Sequence, residues 1–215
     1  MPISRPLPDY LVRRYRGWKA TTYQDNAAWF RHLAESGQHP RAMVIACCDS
    51  RVYVTGLFGA DEGEFFIHRN IAALVPPFTA DEEHHGTSAT IEFAVKSLKV
   101  AHLIVMAHAG CGGVGGCYDM CLGQAPELEQ ATSFVGRWMD ILTPAFPGLP
   151  SGDRATRVQA FEKAAVVTSL TNLMTFPFVR EAVEGGMLTL HGLWTDTGEG
   201  GLECWDEERG AFLPV

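Results

Sequence analysis

The sequence predicts an α/β fold: a mostly parallel central sheet with an antiparallel edge strand, flanked by helices and preceded by an N-terminal helical arm. Three observations carry that expectation. Short, continuous apolar runs (Ala42 to Ala46 and His102 to Ala107) read as strands buried on both faces. They alternate with longer stretches of helical periodicity, as βα units do. Near the C-terminus two strand candidates, Leu188 to Thr195 and Gly201 to Trp205, are joined through Gly198, Glu199 and Gly200, which suits a hairpin.

In order along the chain, Asp9 to Gly37 reads as one or two amphipathic helices. Tyr10, Leu11, Tyr15 and Trp18 fall near helical spacing, as do Trp29, Phe30 and Leu33. Such dense aromatics either pack on the chain's own core or cover a partner subunit. The first strand follows, then a second near Glu64 to His68. Thr87 to Leu98 is helical (Ile91, Ala94, Val95, Leu98), the third strand is His102 to Ala107, and helical patterns return between Val114 and Leu142 and between Arg154 and Met174. PAFPGLPSGD, around Pro147, reads as a surface loop. With no linker and no internal repeat, the expected organisation is an arm over 1–37 and one α/β domain over 38–215.

The composition is that of an ordinary globular protein, 47% apolar and 20% charged over 215 residues. A net charge of -8 argues against a nucleic-acid partner. Met1 to Trp18 lacks the apolar core of a secretory signal, and no apolar run is long enough to span a bilayer. The expected compartment is the cytoplasm, where the six cysteines stay reduced and are read as ligands, nucleophiles or buried apolar groups before disulfides.

Two clusters stand at strand ends, where open α/β sheets carry their active residues. In VIACCDSRV, strand alternation puts Cys47, Asp49 and Arg51 on one side and Cys48 and Ser50 on the other. In MAHAGCGGVGGC, His108 and Cys111 stand at H-x-x-C spacing, short enough for one metal, ahead of a glycine-rich turn into a helix. Cys47, His108 and Cys111 make two thiolates and an imidazole, a donor set that favours zinc and leaves a fourth position for water. The rival is a closed zinc staple with Asp49 as fourth ligand. Gly110, Gly112 and Gly115 also fit G-x-G-x-x-G, but the Cys and His fill places that need only face a phosphate. Cys117 and Cys121 read as buried helix residues rather than a second metal pair, Cys48 and Cys204 as packing, His191 as a core histidine, His84 and His85 as loop residues, and Arg69 and Asn70 as structural hydrogen-bonders.

Together these motifs resemble the β-class carbonic anhydrases, and the plant-type subset in particular. C-x-D-S-R stands as Cys47 to Arg51 and H-x-x-C-G as His108 to Gly112. RNIA (Arg69 to Ala72), SATIEFAV (Ser88 to Val95) and FVREAVEGGMLTLHGLWTDTGEGGLE (Phe178 to Glu203) are similar to family segments, in order, from about Gln38 to Glu203. The resemblance implies reversible hydration of carbon dioxide at a zinc held by Cys47, His108 and Cys111, with Asp49 and Arg51 as the catalytic dyad. It implies a substrate pocket of Gln38 as donor, Phe66, Ile71 and Phe93 as walls, and Gly112. Phe93 stands where the family often has tyrosine, so that hydroxyl is missing. Val44 stands where a subset has the tryptophan of an inhibitory bicarbonate site, which implies no such site here. A homodimer or higher homo-oligomer is implied, because part of the pocket comes from the neighbouring subunit. Some relatives instead hydrolyse carbon disulfide or carbonyl sulfide on the same fold.

Overall fold

In a computed structural model the described residues are 3–80 and 85–215, so His84 lies outside them. The chain divides into two compact units, Met1–His39 and Pro40–Val215.

The first unit holds three helices, α1 (Asp9–Ala20), α2 (Thr22–Asp25) and α3 (Ala27–Ser36), rather than one or two. The interruption falls at Thr21, whose φ of -119° and ψ of -90° leave the helical basin. Trp18, Tyr23 and Phe30 pack on one another with ring centroids 5.4–5.7 Å apart. None of residues 3–39 is fully buried, and Tyr10, Tyr15 and Trp29 stay exposed. These rings, with the half-buried Val12, Ala27 and Leu33, are the core of this unit among residues 3–39.

The second unit is built on a six-stranded sheet of order β2-β1-β3-β4-β5-β6. Its strands are β1 (Ala42–Cys47), β2 (Phe65–Asn70), β3 (His102–His108), β4 (Thr189–Asp196), β5 (Gly201–Asp206) and β6 (Ala211–Pro214). The first four run parallel, and β5 and β6 are antiparallel, so the edge carries two antiparallel strands where one was expected. The short β6 follows a turn closed by Arg209 N–H donating to Asp206 Oδ1 at 2.9 Å, and Pro214 is tolerated because β6 lies at the edge. Every residue of β1 is buried, as the unbroken apolar run required.

Helices α4 (Val54–Phe58), α5 (Gly86–Glu92), α6 (Gly112–Cys121), α7 (Phe134–Met139), α8 (Arg154–Leu173) and α9 (Pro177–Glu184) complete the unit. Asp153 caps α8, its carboxylate accepting Thr156 N–H at 2.8 Å, and Ser133 caps α7 in the same way. No helix among the described residues is long and apolar enough to cross a membrane. The helix expected over Thr87 to Leu98 changes at Phe93 into a π-helix that runs to Leu98 and ends at Lys99 in left-handed conformation. Over two turns the two periods are too close for apolar spacing to separate. The expected loop around Pro147 is partly a 3-10 helix, Thr143–Gly148, whose prolines fit its first turn and its tight end.

Two apolar clusters lie on the sheet. One gathers Met43, Ile45, Ile91, Leu103 and Phe176; the other gathers Val44, Ala46, Cys47, Met106, Val114 and Phe161. Phe161 is fully buried and meets Phe146 edge-on at 6.0 Å. Phe161→Ala should therefore cost about 3–5 kcal/mol, read as a lower urea midpoint. A loss below about 1 kcal/mol would show that this cluster collapses to fill the gap.

Candidate metal centre

β1 and β3 are adjacent and parallel, with Ala46 opposite Met106, so both strands end side by side. Cys47 closes β1, His108 closes β3, and Cys111 caps the N-terminus of α6 one turn later. Their ligand atoms lie within 4.8 Å of one another, all three side chains buried. The two Sγ atoms are 3.9 Å apart. Thiolates bound at ~2.3 Å to a tetrahedral zinc ion would lie ~3.8 Å apart. His108 Nδ1–H donates to the Ala109 carbonyl at 2.9 Å, which fixes the tautomer and leaves Nε2 with its lone pair free. Nε2 is buried and without a hydrogen-bond partner. An orphaned imidazole nitrogen beside two buried sulfurs is the donor set of a zinc ion, and the residues fit one.

The surroundings favour negative charge on sulfur. Cys47 has its pKa lowered, by the hydrogen bond from the Cys111 thiol first, against the cost of burial, with His108 and the amides of Asp49 and Ala72 adding. Cys111 moves the other way, pushed up by that same bond and by burial, while the amides of Val114 and Gly113 pull it down. Negative charge is thus favoured on Cys47 and the proton on Cys111. His108 is raised despite its burial, because the Cys47 sulfur sits beside it.

Asp49 and Arg51 reach the cluster by a turn, not by strand alternation. The strand ends at Cys47, and Val52 N–H donates to the Asp49 carbonyl at 3.0 Å, folding Arg51 back. Arg51 Nε and Nη2 donate to the two Asp49 oxygens at 2.9 and 2.6 Å, and its own N–H adds a third bond at 3.0 Å. These bonds hold the Asp49 carboxyl far below the usual carboxylate range. Asp49 Oδ2 lies 3.9 Å from His108 Nε2. Arg51 also donates to the Gly110 carbonyl at 3.0 Å, and Gly110, at φ +66°, holds the left-handed turn that presents it.

Three groups outside the motifs shape the centre. Arg69 donates twice to the Cys47 carbonyl (2.9 and 2.7 Å) and once to that of Asp49 (2.7 Å), so its expected structural role is met on the ligand-bearing turn itself. Glu162 was not anticipated. Buried at 1% exposure on α8, it accepts Cys111 N–H at 3.0 Å and the Trp194 indole N–H at 3.1 Å. Burial raises its pKa, and those two donors oppose the shift. The signal was a charge on the stripe Phe161, Ala165, Val166, Ser169 that the helix buries. At Gly113 a Cβ would fall 2.6 Å from Ile71 Cγ2, so only glycine lets α6 start against that side chain.

The remaining pocket residues divide. Ile71 lies beside α6 as just described, and Gly112 opens onto free space at the helix start. Phe66 pairs with Met43, four residues (about 13 Å of strand) before Cys47, and packs against Phe93 with the rings tilted by 35° and centroids 5.8 Å apart. One protomer does not bring those two rings to the sulfurs. Gln38 belongs to the N-terminal unit. Cys48, expected to pack, is exposed, because the strand has ended and its side chain turns outward. Cys117 is buried as expected, Cys121 and Cys204 partly so. His191 is only half-buried and bonds to Thr189 and His102 instead of the core.

Two outcomes follow from this geometry. Arg69→Ala should weaken zinc binding by about 10–100-fold in chelator competition, with little change in the urea midpoint; unchanged affinity would make Arg69 a bystander. Zinc added to metal-free protein at neutral pH should release about one proton, from the Cys111 thiol, seen by calorimetry in buffers of different ionisation enthalpy. Absence of release would mean that Cys111 is not a ligand.

The carbonic anhydrase family profile matches residues 42–202. "Beta carbonic anhydrase 3" of Arabidopsis thaliana is 34% identical over 196 residues, 88% of this chain and 73% of that protein. Among solved structures, the β-carbonic anhydrase CafA of Aspergillus fumigatus superposes with a TM-score of 0.75 at 30% identity, covering 92% of this chain and 90% of that one. A tetrameric β-carbonic anhydrase of Sordaria macrospora gives 0.76 at 28%, covering 95% and 98%. The β-carbonic anhydrase CcaA gives 0.84 at 24%, covering 96% and 91%, a likeness of fold.

Proposed function

The chain belongs to the β-carbonic anhydrase family, a family of enzymes, and from that premise we propose that it hydrates carbon dioxide reversibly to bicarbonate and a proton, with zinc held by Cys47, His108 and Cys111. The observation that carries the reading is the doubly hydrogen-bonded Asp49–Arg51 pair beside the buried Cys-His-Cys cluster, Oδ2 3.9 Å from His108 Nε2. A zinc ion bound there supplies a nucleophile at neutral pH, by lowering the pKa of a water from ~15.7 towards ~7.

The chain's own residues do the rest. Asp49, kept ionised by Arg51, accepts the O–H of the nucleophile and turns its lone pair toward the substrate carbon. Arg51 ties both Asp49 oxygens to itself and to the Gly110 turn, which holds the carboxylate off the metal position. That favours catalysis over a closed zinc staple, which has no need of an arginine on its carboxylate. Glu162 fixes the Cys111 amide and Arg69 the Cys47 carbonyl, so neither ligand-bearing turn need reorganise during turnover.

Ile71 walls the site in this protomer. Phe66 and Phe93, remote from this chain's own sulfurs, would wall the pocket of a second copy, and Gln38 would donate to substrate oxygen within that assembly. Both roles are consistent with a homodimer or a larger homo-oligomer, as in the tetrameric Sordaria macrospora relatives. Six free thiols, one of them the exposed Cys48, suit a reducing cytoplasm.

Stopped-flow hydration of carbon dioxide from about pH 6.5 to about pH 9, on zinc-quantified protein, tests the reading. Turnover should rise with pH through ionisation of the nucleophile, since Asp49, with its pKa far depressed, stays charged across that window. Asp49→Ala should lower it roughly 10²-fold with zinc content unchanged. Zinc-loaded protein with no turnover on carbon dioxide, but turnover on carbonyl sulfide, would move the enzyme to the other substrate class.

A further inference from the structure

The amino ends of β3 and β4 carry a second convergence of ligand atoms. The register sets His102 opposite Thr189, and Thr189 and His191, two residues apart on β4, face the same side. His102 Nδ1 lies 2.7 Å from Thr189 Oγ1, Thr189 Oγ1 lies 2.9 Å from His191 Nε2, and the two ring nitrogens are 3.3 Å apart. The rings are tilted by 56° with centroids 5.4 Å apart.

We propose that His102, His191 and Thr189 form a second metal site, which takes one borderline divalent transition ion (zinc, copper(II) or nickel(II)) from solvent. Hydrogen bonds fill at most two edges of the triangle. A neutral ring nitrogen is either donor or acceptor and the hydroxyl has one hydrogen, so one of the three edges always lacks a hydrogen of its own. The Thr189 hydroxyl also lies 3.3 Å from the Ala101 carbonyl, to which it can donate; when its oxygen then accepts from both rings, the nitrogens face each other at 3.3 Å with no hydrogen between them. Two nitrogens bound at ~2.05 Å to a tetrahedral ion stand ~3.3 Å apart. The tautomers that present both lone pairs put the protons on His102 Nε2 and His191 Nδ1. Imidazole donors select borderline transition ions over magnesium or calcium. Burial, then the charge of His102, lowers the His191 pKa, which keeps its lone pair available.

The site is separate from the Cys-His-Cys cluster. His102 and His108 stand at opposite ends of β3, about 20 Å of strand apart. It offers no thiolate, and His102 and Thr189 are exposed, so its ion exchanges with solvent while the buried cluster keeps its own. Thr189 and His191 also line a cavity of about 710 Å³ between α8 and β4, with room for the waters that complete the coordination.

The test starts from full-length, zinc-loaded protein dialysed free of loose metal, then titrated with Zn²⁺ under equilibrium dialysis. Wild type should take up one further ion per chain. His102→Ala and His191→Ala should each abolish that uptake, and Thr189→Val should weaken it, with the tightly held zinc and carbon dioxide turnover retained in all three. A copper(II) paramagnetic resonance spectrum of the zinc-loaded wild type, which needs no variant, should show coupling to two imidazole nitrogens. No uptake beyond the tight complement, an extra ion that persists in both histidine variants, or a copper spectrum without that coupling overturns the site. Failure of the main cluster would look different: protein without tightly held zinc at the start.

Discussion

Two sulfurs 3.9 Å apart in a buried site repel each other once both are ionised, and the architecture around Cys47 and Cys111 counters that repulsion. Amide N–H groups from Asp49 and Ala72 face one sulfur, and those of Gly113 and Val114, at the start of α6, face the other. His108 completes the set with a lone pair that nothing else in the interior uses. The bond between the sulfurs favours charge on Cys47 and the proton on Cys111, and a cation bound there would favour ionising both. Binding of metal and completion of the site are thus one event.

Position at the centre is fixed through backbone atoms. Arg69 reaches across from β2 to the Cys47 and Asp49 carbonyls, Glu162 rises from α8 to the Cys111 amide, and Arg51 joins Asp49 to the Gly110 carbonyl. Each ligand-bearing turn is therefore held by a side chain from another element. This matters because loops alone hold side chains loosely, whereas a constellation tied to strands and a long helix keeps its spacing. Gly113 serves the same end by letting α6 begin against Ile71.

The same two parallel strands set the Phe66 and Phe93 rings far from the cluster. β1 delivers Cys47 at its carboxyl end, while Phe66, on the neighbouring edge strand, pairs near the opposite end of β1 and packs against Phe93 of the π-helix. In the N-terminal unit none of residues 3–39 is fully buried, and Tyr10, Tyr15 and Trp29 stay exposed. At the amino ends of β3 and β4 the sheet brings imidazoles together by register alone, as at the carboxyl ends it brings sulfurs. Parallel pairing makes both convergences, since neighbouring strands begin together and end together.

What the sequence determined by itself is whatever lies in local spacing. Continuous apolar runs marked β1 and β3, hairpin glycines marked the turn between β4 and β5, and the C-x-D-S-R and H-x-x-C-G motifs named the cluster, since these signals occupy a few adjacent residues. Only tertiary structure decided the rest. Glu162 stands 51 residues from the Cys111 amide it accepts, and no local pattern relates them. Strand alternation singled out Cys47, which the fold gathers with His108 and Cys111, but it could not place Asp49 and Arg51, because the strand stops at Cys47 and a turn takes over. His191 read as a core residue from its apolar neighbours, yet its surroundings depend on His102, 89 residues earlier, brought beside it by the β3–β4 pairing. Periodicity records which face a side chain takes; which partner it meets there is set by strand order and register, which no single segment encodes.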